Sequence, residues 1–93
     1  MKKVKFIDLF AGIGGFHHAL KSLGGECVLT CELDPECEMV YKSIFPSAKK
    51  PGHFVNNIRT ITRKDVEDPD SGRSVAAIKE RVGEHDVLCA GFP

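Results

Sequence analysis

Val4-Lys5-Phe6-Ile7-Asp8-Leu9-Phe10-Ala11-Gly12-Ile13-Gly14-Gly15 begins as a nearly continuous apolar run, broken by Lys5 and Asp8, and then turns abruptly into glycine. Such a run is the pattern of a strand in a sheet covered on both faces. Ala11 to Gly15 is too glycine-rich for a regular element. Phe16, Ala19, Leu20 and Leu23 then recur at helical spacing until Gly24-Gly25 stops them. The stretch therefore reads as strand, loop and helix, the first half of a parallel-sheet crossover.

The rest of the chain repeats that alternation. Glu26 to Cys31 is a second short strand; Asp34 suits the cap of a second helix and Pro35 its first turn. Cys37, Val40, Tyr41 and Ile44 share one face of that helix until Pro46. Ser47 to Gly52 reads as a basic connection, His53 to Ile58 as a short third strand, and Thr60 to Ser74 as an exposed loop around Asp68-Pro69-Asp70-Ser71-Gly72. Val75, Ile78 and Val82 mark a third helix ended by Gly83, and Asp86 to Ala90 a fourth strand running into Gly91-Phe92-Pro93. Regular succession of this kind predicts an α/β fold, a Rossmann-like doubly wound parallel sheet of about four strands with right-handed crossovers.

Length and composition set the limits. The 93 residues leave room for one domain, and the 13 basic and 13 acidic side chains cancel. With 28% charged and 42% hydrophobic residues, this is the balance of a soluble globular domain. The basic residues are scattered apart from Lys2-Lys3 and Lys49-Lys50, so little or no DNA binding is expected of these residues alone. No apolar run approaches a membrane span, and the amino terminus is unlike a signal peptide, which points to the cytoplasm. Cys27, Cys31, Cys37 and Cys89 form no CxxC pair and have no histidine at ligand spacing, so they read as reduced core thiols and not as a metal site.

Ligands of doubly wound sheets bind outside the carboxyl ends of the strands. The glycine loop, Glu32, Asn57-Ile58 and Gly91-Phe92-Pro93 all fall at such ends. Glycine lets backbone approach a ligand closely. Glu32, 20 residues after Gly12, stands at the tip of the second strand, where an acid can accept hydrogen bonds from both ribose hydroxyls. Together they indicate a nucleoside-containing cofactor. A dinucleotide fingerprint needs a third glycine where His17 stands, and a P-loop needs a Gly-Lys-Ser/Thr that is absent. His17 and His18 fall on or beside the polar face of the first helix and carry no assigned chemistry.

Asp8-Leu9-Phe10-Ala11-Gly12-Ile13-Gly14-Gly15-Phe16 resembles the first signature motif of the DNA cytosine-C5 methyltransferases. Glu32-Leu33-Asp34 resembles the second, and Leu88-Cys89-Ala90-Gly91-Phe92-Pro93 the start of the catalytic one. The resemblance covers nearly the whole chain except the Thr60 to Glu84 connection, and makes residues 1–93 a truncated AdoMet-binding domain without a target-recognition region. It implies that Asp8, Phe10 and the loop Ala11, Gly12, Ile13, Gly14 and Gly15 surround the methionine portion of S-adenosyl-L-methionine, while Glu32 holds the ribose. Leu33 takes the place of a larger adenine contact and can give no ring stacking. Asn57 stands where the family usually has aspartate, its amide oxygen accepting from the adenine amino group more weakly, with Ile58 beside the ring. Pro93 would line the passage from cofactor to target base.

In complete enzymes of that family, a cysteine thiolate attacks the flipped cytosine and a base later removes the C5 proton. That cysteine follows the Gly-Phe-Pro run, where this chain stops, so none of its own residues is assigned as catalytic and the chain is expected to transfer no methyl group alone. Cys89, inside the fourth strand, is expected to be a buried strand residue. Two other classes stay open: a non-enzymatic AdoMet-binding or interaction module, and another Rossmann-like nucleotide enzyme. RNA-directed cytosine methyltransferases share the motifs too. In the resembling family the first strand lies beside the fourth, which here becomes an exposed edge, so a dimer or larger oligomer through that strand or its neighbouring face is expected, with swapping of the third helix as the alternative route.

Overall fold

The computed structural model describes residues 3–91, so Phe92 and Pro93, the latter assigned to the cofactor passage, lie outside the described residues. The chain runs β1 (Lys5–Leu9), α1 (Gly15–Ser22), β2 (Glu26–Cys31), α2 (Pro35–Ile44), β3 (Phe54–Val55), α3 (Arg59–Thr62), α4 (Val75–Val82) and β4 (Val87–Ala90). The four strands form one parallel sheet in the order β3-β2-β1-β4. The chain winds outward from β1 to β3, then returns to lay β4 on the other side of β1. Strand order reverses between β1 and β4, and their carboxyl ends make the switch point where such sheets bind ligands. This is the Rossmann-like, doubly wound parallel sheet of four strands that the alternation predicts.

Each sheet face has its own core. Ile7, Leu29, Cys31 and Val55 point to one face and pack with Ile61 of α3 and, at the margin, Ile78 and Val82 of α4. Phe6, Asp8 and Thr30 point to the other, towards α1 and α2, where Tyr41, Phe45 and Ala48 are buried. Strand residues alternate between faces, yet Cys27 and Thr30 both meet Tyr41. A bulge resolves this: Phe6 pairs with Cys27 but Ile7 with Leu29, leaving Val28 as the extra residue.

The capping that the sequence predicts for α2 is present, with Asp34 Oδ1 accepting from the amides of Glu36 at 2.8 Å and Cys37 at 3.4 Å. Ser74 caps α4 by accepting from Ala77 N, and Gly83 ends that helix at φ +80°. Several expectations need correction. In α1 the buried residue is His17, while Phe16 and, just past the helix, Leu23 are 49% and 83% exposed. Apolarity misidentified that face, because the imidazole stacks on Phe45 with centroids 3.7 Å apart and bonds to Tyr41. In α2 Tyr41 is buried, but Val40 and Ile44 are 42% and 49% exposed.

The connection after α2 holds a 3-10 turn, Pro46–Lys49, that buries Ala48. The third strand is two residues long, since Asn57 already turns the chain into α3. Residues Thr60 to Thr62, assigned to an exposed loop, belong to α3, whose Ile61 plugs the core, and Arg63 bridges back to Gly72. Cys89 is half-buried because β4 is an edge strand.

Candidate functional site

At the end of β1 the backbone changes hand. Phe10 has φ +53°, a left-handed conformation that costs a non-glycine residue on the order of 1–3 kcal/mol. The reversal carries the chain across the carboxyl end of β2, where Ala11 N donates to Cys31 O at 3.1 Å. Gly12 and Gly14 continue with φ +58° and +96°. A β-carbon on Gly12 would meet nothing within 4 Å, so its α-carbon faces open space. One on Gly14 would overlap Phe45 Cε2. Gly12 thus leaves room for an approaching molecule, whereas Gly14 is a packing requirement of the Phe45 ring.

Glu32 sits where β2 ends and fastens two turns together. Oε1 accepts from Gly12 N at 2.7 Å and Oε2 from Asp34 N at 2.8 Å. A carboxylate has about four lone-pair sites, so each oxygen keeps one for a ligand. Glu32 lines a cavity of about 300 Å³ with Phe10, Leu33, Asn57 and Ile58, all assigned from sequence, and with Asn56 and Arg59. Leu33 is 70% exposed, an apolar wall without internal cover. Asn57 Oδ1 accepts from Arg59 N at 3.0 Å, which starts α3 and leaves the amide N–H₂ and one oxygen lone pair free. The neighbouring Asn56 gives its amide to Glu38 Oε1 at 2.6 Å.

None of Ala11, Gly12, Ile13, Gly14 and Gly15 lines this cavity: the loop stands beside it, tied to its wall by the Gly12–Glu32 bond, and Ile13 is 60% exposed. Asp8 lies beneath the loop and not on its surface: it is 0% exposed, Oδ2 accepts from Tyr41 at 3.2 Å, and Oδ1 has no partner. Burial pushes its carboxyl up to about 6, the Tyr41 bond opposes this, and the nearby Glu32 charge adds to it. Burial, with Lys21 nearby, holds the His17 imidazole down to about 4, so it is neutral around pH 7. A larger groove of about 590 Å³, at the opposite end of the sheet near Lys5, Lys79 and Asp86, is wide and mixed in charge, with no glycine loop over it.

The sequence reading missed Arg59, Asn56, His17 and Tyr41. Arg59 had a positional signal, one residue past Ile58 at a strand end. His17 and Tyr41 had none, because their roles arise from contacts 24 residues apart. Among the described residues no three His, Cys, Asp or Glu side chains gather as a metal would require, and no helix is long and apolar enough to cross a membrane.

The family model for C-5 cytosine-specific DNA methylase matches residues 4–93. The chain is 40% identical over 89 residues to the DNA-cytosine methyltransferase of Escherichia coli (strain K12), covering 96% of the chain and 19% of that protein. It is 39% identical over 90 residues to the Type II methyltransferase M.HhaI of Haemophilus parahaemolyticus, covering 97% of the chain and 21% of the relative. For the Type II methyltransferase M.HpaII of Haemophilus parainfluenzae, identity is 36% over 92 residues, with 99% and 20% covered. The chain spans about a fifth of the length of these curated relatives. With the match running through the glycine loop, Glu32 and β4, the chain belongs to the C-5 cytosine-specific DNA methylase family.

Proposed function

We propose that these residues are the amino-terminal, cofactor-binding part of a DNA cytosine-C5 methyltransferase and hold S-adenosyl-L-methionine, the methyl donor of the family. The observation that carries this is Glu32, whose carboxylate fastens Gly12 and Asp34 while facing the cavity at the strand ends. A ribose diol can take the remaining lone pairs of Glu32. Leu33, Ile58 and Phe10 offer apolar walls to a base, and Asn57 an amide to its edge. The open space beside Gly12 would take the methionine end, and Asp8, buried with the loop's stems, braces the loop from below. Pro93 belongs to the same proposal as the residue between cofactor and target base. Bound there, the cofactor supplies an electrophilic methyl group to cytosine.

The 93 residues expressed alone are not a methyltransferase in this reading. Burial raises the thiols of Cys27, Cys31 and Cys89, and Cys37, raised as well, lies among Asp34, Glu32 and Glu36, so none is poised as a thiolate. The family nucleophile, a cysteine after a Gly-Phe-Pro run, and target recognition lie outside these residues. DNA is then the substrate of a longer, cytoplasmic enzyme, and these residues grip it little. Self-association through the β4 edge is the further expectation.

Calorimetric titration with S-adenosyl-L-homocysteine, with NAD as control, tests the assignment. Binding of the first and not the second is expected; NAD binding alone, or a site unaffected by Glu32 substitution, would refute it. Incorporation of labelled methyl into DNA by the pure 93-residue chain would refute the inactivity.

A further inference from the structure

One phenol joins both stems of the glycine loop. The Tyr41 hydroxyl lies 3.2 Å from Asp8 Oδ2, at the end of β1, and is hydrogen-bonded to His17 Nδ1 in the first turn of α1. Thr30 Oγ1 is 2.9 Å away. Beneath the loop, a β-carbon on Gly14 would stand 3.1 Å from Tyr41 Cε2. Residue 8 precedes the loop, residue 14 lies in it and residue 17 follows, so one side chain touches entrance, floor and exit. Asp8, His17, Thr30 and Tyr41 are each no more than 3% exposed.

The phenol has one proton for three neighbours, so the bonding depends on where the other protons are. With Asp8 ionised, Tyr41 donates to Oδ2 and accepts from the Thr30 hydroxyl and from His17 Nδ1–H. With Oδ2 protonated, the carboxyl donates to Tyr41, whose proton then turns to Thr30 or to an unprotonated Nδ1. Both arrangements are complete, and they differ in which stem of the loop Tyr41 holds as donor. His17 lines an open cavity with Lys21, Lys50 and His53, which gives the network a route to solvent.

We propose that Tyr41 is the positioning residue of the glycine loop: it holds the loop's binding geometry by donating to an ionised Asp8, and protonation of Asp8 relaxes that geometry. The link to cofactor affinity rests on the function proposed above; the link between Tyr41, Asp8 and the loop does not. The groups facing Asp8 are Tyr41 from α2, with His17 of α1 behind it, Cys27 and Thr30 from β2, Cys89 beside it in β4, and Glu32 beyond β2. His17 is neutral and the thiols of Cys27 and Cys89 stay protonated near neutral pH, so Asp8 is the group that titrates there. The Tyr41 bond lowers its affinity for a proton, so losing the hydroxyl raises it.

The full chain, carrying [¹³C]aspartate and [¹⁵N]glycine, is titrated by NMR over about pH 4 to 8, a range that brackets ordinary and raised carboxyls. The Gly12 and Gly14 amides should move with the Asp8 carboxyl midpoint, and Tyr41→Phe should carry both midpoints upward together. Glycine amides that ignore Asp8 would overturn the proposal, as would a Tyr41→Phe midpoint that stays put or falls. If Tyr41→Phe does not fold, the wild-type coupling decides alone. S-adenosyl-L-homocysteine affinity should fall about tenfold in Tyr41→Phe at neutral pH, the loss of one buried bond. Intact coupling in a wild-type chain that binds no cofactor at any pH would support the positioning and refute the cofactor assignment.

Discussion

Gly12 and Glu32, 20 residues apart, are joined by a 2.7 Å hydrogen bond from the backbone amide of the first to the carboxylate of the second. The spacing that suggests a ribose-binding acid therefore also builds a brace between the glycine loop and the end of β2. Glu32→Ala should lower cofactor affinity by about 1 to 3 kcal/mol, as charge-assisted bonds are lost. It should also lower thermal stability, since the Gly12 and Asp34 amides lose their acceptor. Glu32→Gln keeps the volume and one acceptor oxygen, so its melting temperature should lie between those of Glu32→Ala and wild type. Calorimetry and thermal melts read both effects, and unchanged affinity in Glu32→Ala would remove the residue from the site.

The two left-handed glycines should respond differently to alanine. At Gly14 a β-carbon collides with Phe45 and adopts φ +96°, so Gly14→Ala should cost about 2 to 4 kcal/mol of stability. At Gly12 the space is open and only the conformational penalty applies, about 1 to 2 kcal/mol. Gly12→Ala should instead lose cofactor affinity, because its methyl projects into the space an incoming molecule would use. Denaturant melts together with calorimetry separate the two, and equal stability losses would contradict the packing account.

The parts of the fold legible in the sequence are those set by local chemistry. Alternating apolar runs give four parallel strands, and Asp34 and Gly83 bound their helices because capping depends on neighbours in sequence. Of the candidate site, the part legible in the sequence is the gathering of Glu32, Leu33, Asn57, Ile58 and Phe10 around one cavity at the strand ends, because strand-end position is set by the alternation; Asp8 and the glycine loop do not line it. The buried face of α1 was not. A histidine reads as polar until Tyr41 and Phe45 are placed beside it, and nothing near His17 in sequence announces either ring. Nor could periodicity show that Gly14 serves Phe45, because that contact joins the residue before α1 to the residue after α2.

Asp8 and His17 should bend the stability profile in opposite directions. Asp8 titrates at about 6 when folded against an ordinary 3.8, so the native state holds its proton more tightly, and its contribution to stability falls as pH rises through that interval. His17 titrates at about 4 against 6.5, so the unfolded state binds the extra proton and its contribution grows as pH rises through that interval. The two nearly offset one another. Relative to wild type, Asp8→Asn should gain stability as pH rises from about 4 to 6, and His17→Gln should lose it, each by at most about 1.4 kcal/mol per pH unit. Denaturant melts across that range provide the check; slopes of the same sign in both variants would show that the groups do not titrate as described.

Association should run through β4. Among the described residues this strand pairs on one side with β1 and on the other with nothing, so its outer N–H and C=O groups are open. Leu88 and Ala90 lie on the sheet face shared with Ile7 and Leu9, but α4 does not cover them, and Leu88 is 53% exposed. Apolar surface left in water costs about 25 cal/mol per Å², and an open edge beside it is a template for strand pairing. The opposite edge, β3, is two residues long and offers little to pair with. The chain should therefore sediment as a dimer or larger species at high micromolar concentration. Leu88→Lys should shift it towards monomer without unfolding it, because a lysine on an edge strand disfavours pairing while the residue stays half in solvent. A wild-type chain that is a folded monomer under those conditions would refute the assignment. Association undiminished by Leu88→Lys would move the contact to the exposed Val40 and Ile44 side of α2.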